Sequence, residues 1–264
     1  MLMSSQNNNN NVELQKRIQC YCINLDSKNE RWEQMQEHFA AIFPDMERFP
    51  AVLGRSLEKY PDNVHDFSYR LHVGRRILPG EVGCYLSHLG VLQRFLESDR
   101  EFALICEDDI IPQKSLGPLL ENLLAQSYAW EFVRLHHYCC HKAIPCCGLR
   151  NDYRLGMSFG GKISSACYLV SRRGARRLLR KLTPVREPYD LALHHGWLGI
   201  REFLVCPSPI ELSQESNSTS IVGERYNDDS VLFSLSSAFF HLTSRCKRYP
   251  LILFRLLRYK IFSR

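Results

Sequence analysis

Short apolar segments that alternate with amphipathic helical segments constrain the fold of this chain more than any other feature. The apolar segments are rich in β-branched and aromatic residues and are typical of buried strands: 18–25, 102–106, 131–135, 167–170 and 203–206. Between them, apolar residues recur at a three-to-four spacing that predicts helices: 29–43, 82–96, 116–124 and 171–182. Strands that alternate with helices predict an α/β fold with a mainly parallel central sheet flanked by helices.

The composition is that of a soluble globular protein with a core of its own. The 264 residues are 45% hydrophobic and 23% charged, enough for one large α/β domain without disulfides. The polar, asparagine-rich N-terminus has no apolar secretion signal, and we expect residues 1–16 to be disordered. The eleven cysteines are therefore expected to be reduced thiols of a cytoplasmic protein.

The net charge of +6 is concentrated at the C-terminus. Residues 245–264 contain seven of the 34 lysines and arginines and none of the 28 acidic residues, so the remaining chain is close to neutral. A nucleic-acid binder usually spreads its basic surface over the fold, which argues against such a partner. We divide the chain into a domain at 17–240 and a basic amphipathic tail at 241–264. The tail is too short and too charged to span a bilayer, and it is predicted to lie on anionic lipid. The alternative is a terminal helix that packs on the core.

The segment with the most reactive chemistry is Glu107-Asp108-Asp109, directly after the apolar run 102–106. In open α/β sheets, ligands bind beyond the carboxyl ends of the strands. Three adjacent carboxylates repel one another, and a divalent cation would relieve that repulsion. In an extended segment Glu107 and Asp109 would face the same way and could share one Mn²⁺ or Mg²⁺ ion. The alternative is a solvated acidic turn that caps the following helix.

These residues also carry a family resemblance. The acidic run FALICEDDI and the upstream LPGEVGCYLSHLGVLQ (78–93) resemble glycosyltransferase family 25, which includes lipooligosaccharide and collagen galactosyltransferases. Further matches follow in order: INLD with Arg31, FPAVLG (49–54), FVRLH (132–136), ACYLVSRRGARRLL (166–179), PYD (188–190), and Gln214 with 218–221. One departure is Leu53, where the family often has an acidic residue that contacts the donor.

The resemblance implies a GT-A-like fold that transfers a sugar, with inversion, from a nucleotide-sugar donor that is usually UDP-galactose. It implies that Glu107 and Asp109 bind the metal and diphosphate. The acceptor is expected to be a lipid-linked saccharide, as in lipopolysaccharide biosynthesis, and the enzyme is expected at the inner face of the membrane. The candidate donor-binding residues are Asn24, Arg31, Ser87, His88 and Asp108. For Arg31 an exposed helix position is the alternative, and for His88 a hydrogen-bonded core position.

Inversion needs a base that takes the proton from the acceptor hydroxyl. Asp190 is our candidate because it matches the family's P-x-D segment, and the alternative is that it caps a helix at 191–197. Glu187 and Glu81 are the rival bases. His194 or His195 could supply a further metal ligand.

Three observations leave other functions open. The cysteine-rich segment 139–147 is interpreted as a flexible acceptor-side loop with free thiols; the alternative is a zinc site, although adjacent cysteines chelate awkwardly. The basic run 172–181 is expected to be mostly a solvated helix face, and the alternative is that it binds a phosphorylated acceptor. A metal-dependent phosphoesterase, or a non-catalytic module that binds nucleotide-sugars, would use the same carboxylates.

Overall fold

The computed structural model describes residues 11–138, 143–158, 164–193, 195, 198–213 and 231–262. The helices are α1 (11–17), α2 (Asn29–Phe39), α3 (Asp66–Val73), α4 (Pro79–Glu97), α5 (Leu116–Ala125), α6 (Arg172–Lys181), α7 (Tyr189–Ala192) and α8 (Val231–Phe262), with a 3-10 turn at Gly54–Ser56. The strands are β1 (Ile18–Asn24), β2 (Glu47–Pro50), β3 (Phe102–Glu107), β4 (Ile110–Pro112), β5 (Phe132–Arg134), β6 (Ala143–Gly148), β7 (Arg154–Ser158), β8 (Cys167–Ser171), β9 (Glu202–Cys206) and β10 (Ile210–Leu212).

Within these residues the central sheet has eight strands in the order β2-β1-β3-β8-β5-β9-β7-β6. The pairs β1–β2, β1–β3 and β5–β9 are parallel, and each pair that includes β7 or β8 is antiparallel. Six strands therefore run in one direction and two oppose them. A separate antiparallel pair joins β4 to β10. The predicted α/β fold with a mainly parallel central sheet is confirmed.

Strand periodicity divides the core between the two faces of this sheet. On β3, Phe102, Leu104 and Cys106 belong to one cluster of buried residues, whereas Ala103 and Ile105 belong to the other. The first cluster also contains the buried residues of α2 and α5, and the second contains those of α4 and α6. The result is three layers, with the carboxyl ends of β1 and β3 side by side at one edge.

Close backbone contact fixes the start of α4 against the segment that follows β2. A Cβ atom on Gly83 would lie 2.3 Å from the carbonyl oxygen of Val52, and one on Gly54 would lie 1.8 Å from that of Pro79. Glu81 accepts a hydrogen bond from the backbone N–H of Leu78 at 3.1 Å, which satisfies a donor at the helix start. This packing explains the glycines of FPAVLG and GEVG, and it directs α4 toward the end of β3.

Several predicted boundaries need correction. Residues 11–17 are helical and Leu14 is buried, so the N-terminal segment is ordered before residue 16. The predicted helix 29–43 ends at Phe39, and residues 56–77, whose sequence has no clear apolar period, contain α3. The segment interpreted as a cysteine-rich loop contains β6, which pairs with β7 as a hairpin. The sequence of β6, AIPCCG, has no alternation of apolar and polar residues that would indicate a strand.

The basic run on α6 is not only a solvated face. Arg172 donates hydrogen bonds to the carbonyl oxygens of Leu96 (2.8 Å) and Ser98 (2.5 Å), at the C-terminal end of α4. Arg177 pairs with the buried Glu131 at 2.7 Å. These contacts join α6 to its neighbours, whereas Arg176 and Arg180 are exposed as expected.

The C-terminal helix packs on the domain along one side. Phe233 contacts Phe67 edge-on at 6.0 Å and lies under the guanidinium of Arg70 at 4.1 Å. Ile252 and Leu256 are buried in the same core cluster as β3. The predicted boundary between residues 240 and 241 therefore falls inside one continuous helix. Among the described residues, no helix is both long enough and apolar enough to cross a membrane.

Candidate active site

The carboxyl ends of β1 and β3 hold a network around Asp108. The side-chain amide of Asn24 donates to Asp108 at 2.6 Å, and Arg31 at the start of α2 pairs with the same carboxylate at 3.2 Å. Arg48 donates to the amide oxygen of Asn24 at 2.9 Å. The structure therefore brings together three of the predicted donor-binding residues. Arg48 was missed because it directly precedes the FPAVLG motif and is not part of it.

Glu107 points away from this network. Its carboxylate lies 3.3 Å from the Nε2 atom of His88 and accepts a hydrogen bond from the Ser165 hydroxyl at 2.8 Å. Burial opposes ionisation of Glu107, but the hydrogen bonds from His88 and Ser165 outweigh it and hold its pKa below the ordinary value. His88 also lies 3.0 Å from the Tyr168 hydroxyl and stacks on the Tyr189 ring at 4.2 Å. The carboxylate of Glu107 is thus ionised and oriented.

Asp109 carries the least compensated charge of the motif. It is 8% exposed, and its Oδ1 atom has no hydrogen-bond partner within the described residues. Burial and the negative charges of Glu107 and Asp108 raise its pKa to about 7. Asp108 and Asp109 lie in a turn between β3 and β4, so the alternation of an extended strand does not extend beyond Glu107. Asp109 is nevertheless close enough for Glu107 to perturb it.

Asp190, in the short helix α7, contributes to the same site from a distant part of the chain. Burial raises its pKa, while the N–H of Leu191 and the cation of Arg134 oppose the rise and Glu107 adds to it. All three carboxylates affect the hydroxyl of Tyr138. Burial raises its pKa most, and the negative charges of Asp109, Glu107 and Asp190 raise it further. Tyr189, the neighbour of Asp190, stacks at 4.2 Å on the His88 ring that contacts Glu107, so the candidate base lies near the candidate metal ligands although more than 80 residues separate them in sequence.

Cys84 lies inside this acidic environment and was not singled out from the sequence. The residue is partly exposed, and the thiol sulfur, the His88 ring nitrogen and a Glu107 carboxylate oxygen all lie within 4.8 Å of one another. Burial raises the pKa of the Cys84 thiol, and Glu107, Asp190, Glu81 and Asp109 raise it further. The signal in the sequence is the spacing Cys84-x₃-His88, which places both side chains on one face of a helix.

Other candidates have contacts that tie them to the fold. Ser87 is buried, accepts the N–H of Val52 at 2.8 Å and donates to the carbonyl oxygen of Gly83 at 2.7 Å. Its part in donor binding stays a prediction. Glu81 is held by Arg75 at 2.5 Å and by the Tyr69 hydroxyl at 2.8 Å, which weakens it as a rival base.

The expected further ligand from His195 is not found. His195 is hydrogen-bonded to Glu187 and lies 5.7 Å from the Phe240 ring of α8, and it is absent from the metal-ligating group of the described residues. The same contact occupies Glu187, the second rival base.

His194, Gln214, residues 218–221 and the Cys139-Cys140 pair lie outside the described residues. Asp190 does not cap a helix at 191–197: it lies inside the short helix Tyr189–Ala192, whose cap residue is Pro188, and it accepts the N–H of the adjacent Leu191 at 2.8 Å.

The residues at this edge fit a divalent cation. Asp109 presents a buried carboxylate oxygen without a protein partner, and the Glu107 carboxylate is ionised beside it. Carboxylate oxygens are the ligands that hard cations such as Mg²⁺ and Mn²⁺ prefer. A bound cation would also offset the mutual repulsion of the motif.

Comparison with known proteins agrees with this geometry. The model for glycosyltransferase family 25 (LPS biosynthesis protein) matches residues 17–193, which include every candidate discussed above from Asn24 to Asp190. The chain belongs to glycosyltransferase family 25.

Named relatives within family 25 include a glycosyltransferase 25 family member from Anopheles gambiae, 36% identical over 184 residues, and procollagen galactosyltransferase 1-B from Xenopus laevis, 28% identical over 186 residues. A rat relative, 26% identical over 183 residues, is named "Probable inactive glycosyltransferase 25 family member 3". The alignments cover 60–63% of this chain and 30–31% of those relatives, so the chain corresponds to about a third of their length.

Proposed function

We propose that this family 25 chain is an inverting glycosyltransferase that moves galactose from UDP-galactose to a saccharide acceptor with the help of Mn²⁺ or Mg²⁺. The observation that carries the proposal is the placement of the Asp190 segment beside Glu107 and Asp109, through the stacking of Tyr189 on the His88 ring that contacts Glu107, next to a fixed Asn24–Asp108–Arg31 network. The named galactosyltransferase relative supports the choice of sugar.

The residues divide into two roles. Asn24, Arg31 and Asp108 lie at the carboxyl ends of β1 and β3, where a donor nucleotide would lie in an α/β sheet of this kind. Asp190 would take the proton from the acceptor hydroxyl, because the rival bases Glu81 and Glu187 are held by Arg75 and His195, and burial raises the pKa of Asp190. Glu107 and Asp109 would hold the cation. When bound, the cation would act as a Lewis acid that stabilises the departing diphosphate.

A panel of nucleotide-sugars, tested with and without Mn²⁺, measures the proposal directly. Transfer from UDP-galactose that needs both the cation and an acceptor supports it. Hydrolysis without an acceptor would indicate a phosphoesterase. Binding without turnover would indicate a non-catalytic module, the state that the rat relative's name suggests for that protein.

Asp190→Asn tests the base. The rate of transfer should fall by about 10²- to 10⁴-fold with little change in donor affinity. Asp45→Asn, on an exposed turn, is the matched control and should be neutral. A parallel collapse of donor binding in Asp190→Asn would show that this carboxylate binds the donor or supports the fold.

We also propose that α8 places the enzyme on the cytoplasmic face of an anionic membrane, where it would meet a lipid-linked acceptor. The side of α8 that faces away from the domain exposes large apolar residues: Leu232, Leu235, Phe239, Leu242, Leu251, Leu253, Phe254 and Leu257. The helix has no acidic residue, and each basic residue near an anionic surface contributes about 1 kcal/mol. An exposed apolar face on a helix whose sequence contains basic and no acidic residues suits lipid.

Because Ile252 and Leu256 are buried, deletion of the tail would uncover the core, and substitutions on the outer face are the better test. Phe254→Glu with Leu257→Glu should abolish binding to phosphatidylserine vesicles and leave transfer to a soluble acceptor unchanged. Gln113→Glu, at an exposed β4 neighbour, is a control for the added charge. Undiminished vesicle binding by the double variant would contradict the proposal.

A further inference from the structure

We propose that Cys84, His88 and Glu107 form a binding site for a transition-metal ion of the Zn²⁺ class, distinct in ligand chemistry from the all-oxygen set of Glu107 and Asp109. The three ligand atoms lie within 4.8 Å of one another. They are one sulfur, one imidazole nitrogen and one carboxylate oxygen, which together suit a borderline-soft ion and not Mg²⁺.

The backbone supplies two of these ligands from one rigid element. Cys84 and His88 are four residues apart on the 19-residue helix α4, so their side chains lie on the same face. The close contact of Gly83 with Val52 fixes this helix against the end of the sheet. Glu107 ends β3 directly opposite. The site is therefore built on a helix and a strand, which hold ligands more firmly than loops do.

The distances are close to those of a bound ion. His88 Nε2 and Glu107 Oε1 are 3.3 Å apart, and two such ligands around one tetrahedral zinc are separated by about 3.3 Å. The Cys84 sulfur lies within 4.8 Å of both atoms, so the three residues form one set that leaves a fourth position open. Cys84 as a residue is partly exposed.

Neighbouring groups orient the ligands as metal sites require. The second ring nitrogen of His88 lies 3.0 Å from the Tyr168 hydroxyl, and the ring stacks nearly parallel to Tyr189. Ser165 donates a hydrogen bond to Glu107 at 2.8 Å. Such outer partners fix the orientation of ligating side chains, and losing one typically weakens metal affinity about 10- to 100-fold.

This inference shares Glu107 with the proposed function but is tested without any sugar nucleotide. Co²⁺ is titrated into the reduced full-length chain, and absorption is followed for the thiolate-to-cobalt charge-transfer band and the visible bands of a four-coordinate ion. We expect both in the unmodified protein, and we expect displacement by Zn²⁺ but not by excess Mg²⁺. A chain that proves inactive in transfer can still pass this test, so the two failures are distinguishable.

Variants assign the ligands. Cys84→Ser should lose the charge-transfer band, and both Cys84→Ser and His88→Gln should weaken Co²⁺ binding at least about tenfold. The cysteine control is Cys246→Ser, an exposed position on α8, and the hairpin control is Cys146→Ser with Cys147→Ser; both should keep the band. Thermal melts confirm folding, which the near-isosteric Cys84→Ser should preserve. A charge-transfer band that survives in Cys84→Ser, or its absence from the unmodified protein, would overturn the proposal.

Discussion

One buried carboxylate and a run of three carboxylates lie at opposite ends of the strands, and their charges are compensated to different degrees. At the amino end of β5, Glu131 is 1% exposed and is surrounded by Arg173 (2.8 Å), Arg177 (2.7 Å) and Arg201 (3.8 Å). At the carboxyl end of β3, three successive carboxylates are close together. There Arg31 pairs with Asp108, and Asp109 makes no ion pair among the residues that the structure describes.

The difference separates a carboxylate that holds the fold from carboxylates that are poised for a ligand. Glu131 also accepts the backbone N–H of Arg201 at 3.1 Å. Its Oε1 atom makes no hydrogen bond among the described residues but lies 2.8 Å from Nε of Arg173, so arginines offset its charge. The motif retains a surplus of negative charge that the protein leaves uncompensated, with a pKa raised to about 7 at Asp109. Surplus charge in a partly buried site is costly to stability and is typical of functional sites.

The largest effect is expected on transfer, from Asp109→Asn. Loss of one cation ligand should reduce the rate at least about a hundredfold, because the cation supplies several kcal/mol of charge stabilisation and each 1.36 kcal/mol is tenfold in rate. Steady-state kinetics with varied Mn²⁺ measure it. A folded Asp109→Asn protein with normal turnover would show that this surplus charge has no catalytic use.

The same substitution should stabilise the metal-free protein. Because the folded-state pKa of Asp109 lies above the ordinary 3.8, the folded state disfavours ionisation, and the free energy of unfolding falls as pH rises from about 4 to about 7 and stays low above it. Asp109→Asn should therefore unfold at higher denaturant above pH 7, by up to about 4 kcal/mol. Denaturation curves at pH 5 and pH 8 compare it with Asp45→Asn, which should show no gain.

Glu131→Ala should have the opposite signature. It leaves the buried N–H of Arg201 without a partner and removes a shared anion, and we expect a loss of about 2–3 kcal/mol of unfolding free energy. Transfer per folded molecule should be unchanged, since Glu131 lies at the far end of the strands. A specific loss of activity without a loss of stability would remove the distinction between the two groups.

The smallest expected effect tests whether burial, and not ion pairing alone, decides how much a carboxylate stabilises the fold. Glu101 lies near Glu131 at the same edge and pairs with Arg17 at 2.8 Å, but its side chain is 57% exposed. Glu101→Ala should cost no more than about 1 kcal/mol at pH 7. The hydrogen bond from Arg17 lowers the pKa of Glu101, so this stabilisation is present at neutral pH and is lost as pH falls through that lowered value. If Glu101→Ala lowered the free energy of unfolding as much as Glu131→Ala, burial would not be what distinguishes these two carboxylates.

The strands β1, β3, β5, β8 and β9 of the central sheet and most of the helices packed on it were predictable, because their side chains follow simple periods. β1 and β3 were predicted within a residue or two, as was the body of α4. The hairpin β6–β7 and helix α3 were not, since neither has a clear apolar period. The start of α3 lacks a side-chain cap, which removed the usual signal for a helix beginning.

The amino-acid sequence alone determined that this is an α/β protein with an acidic segment at the end of a buried strand. Apolar periodicity and local charge depend only on residues that are close together in sequence. Only the tertiary structure decided how those charges are used. It turned Asp108 toward Arg31, left Asp109 uncompensated, and brought Asp190 and Cys84 to Glu107. Strand order and helix packing bring these residues together. Both depend on contacts between residues far apart in sequence, which a local sequence pattern does not predict.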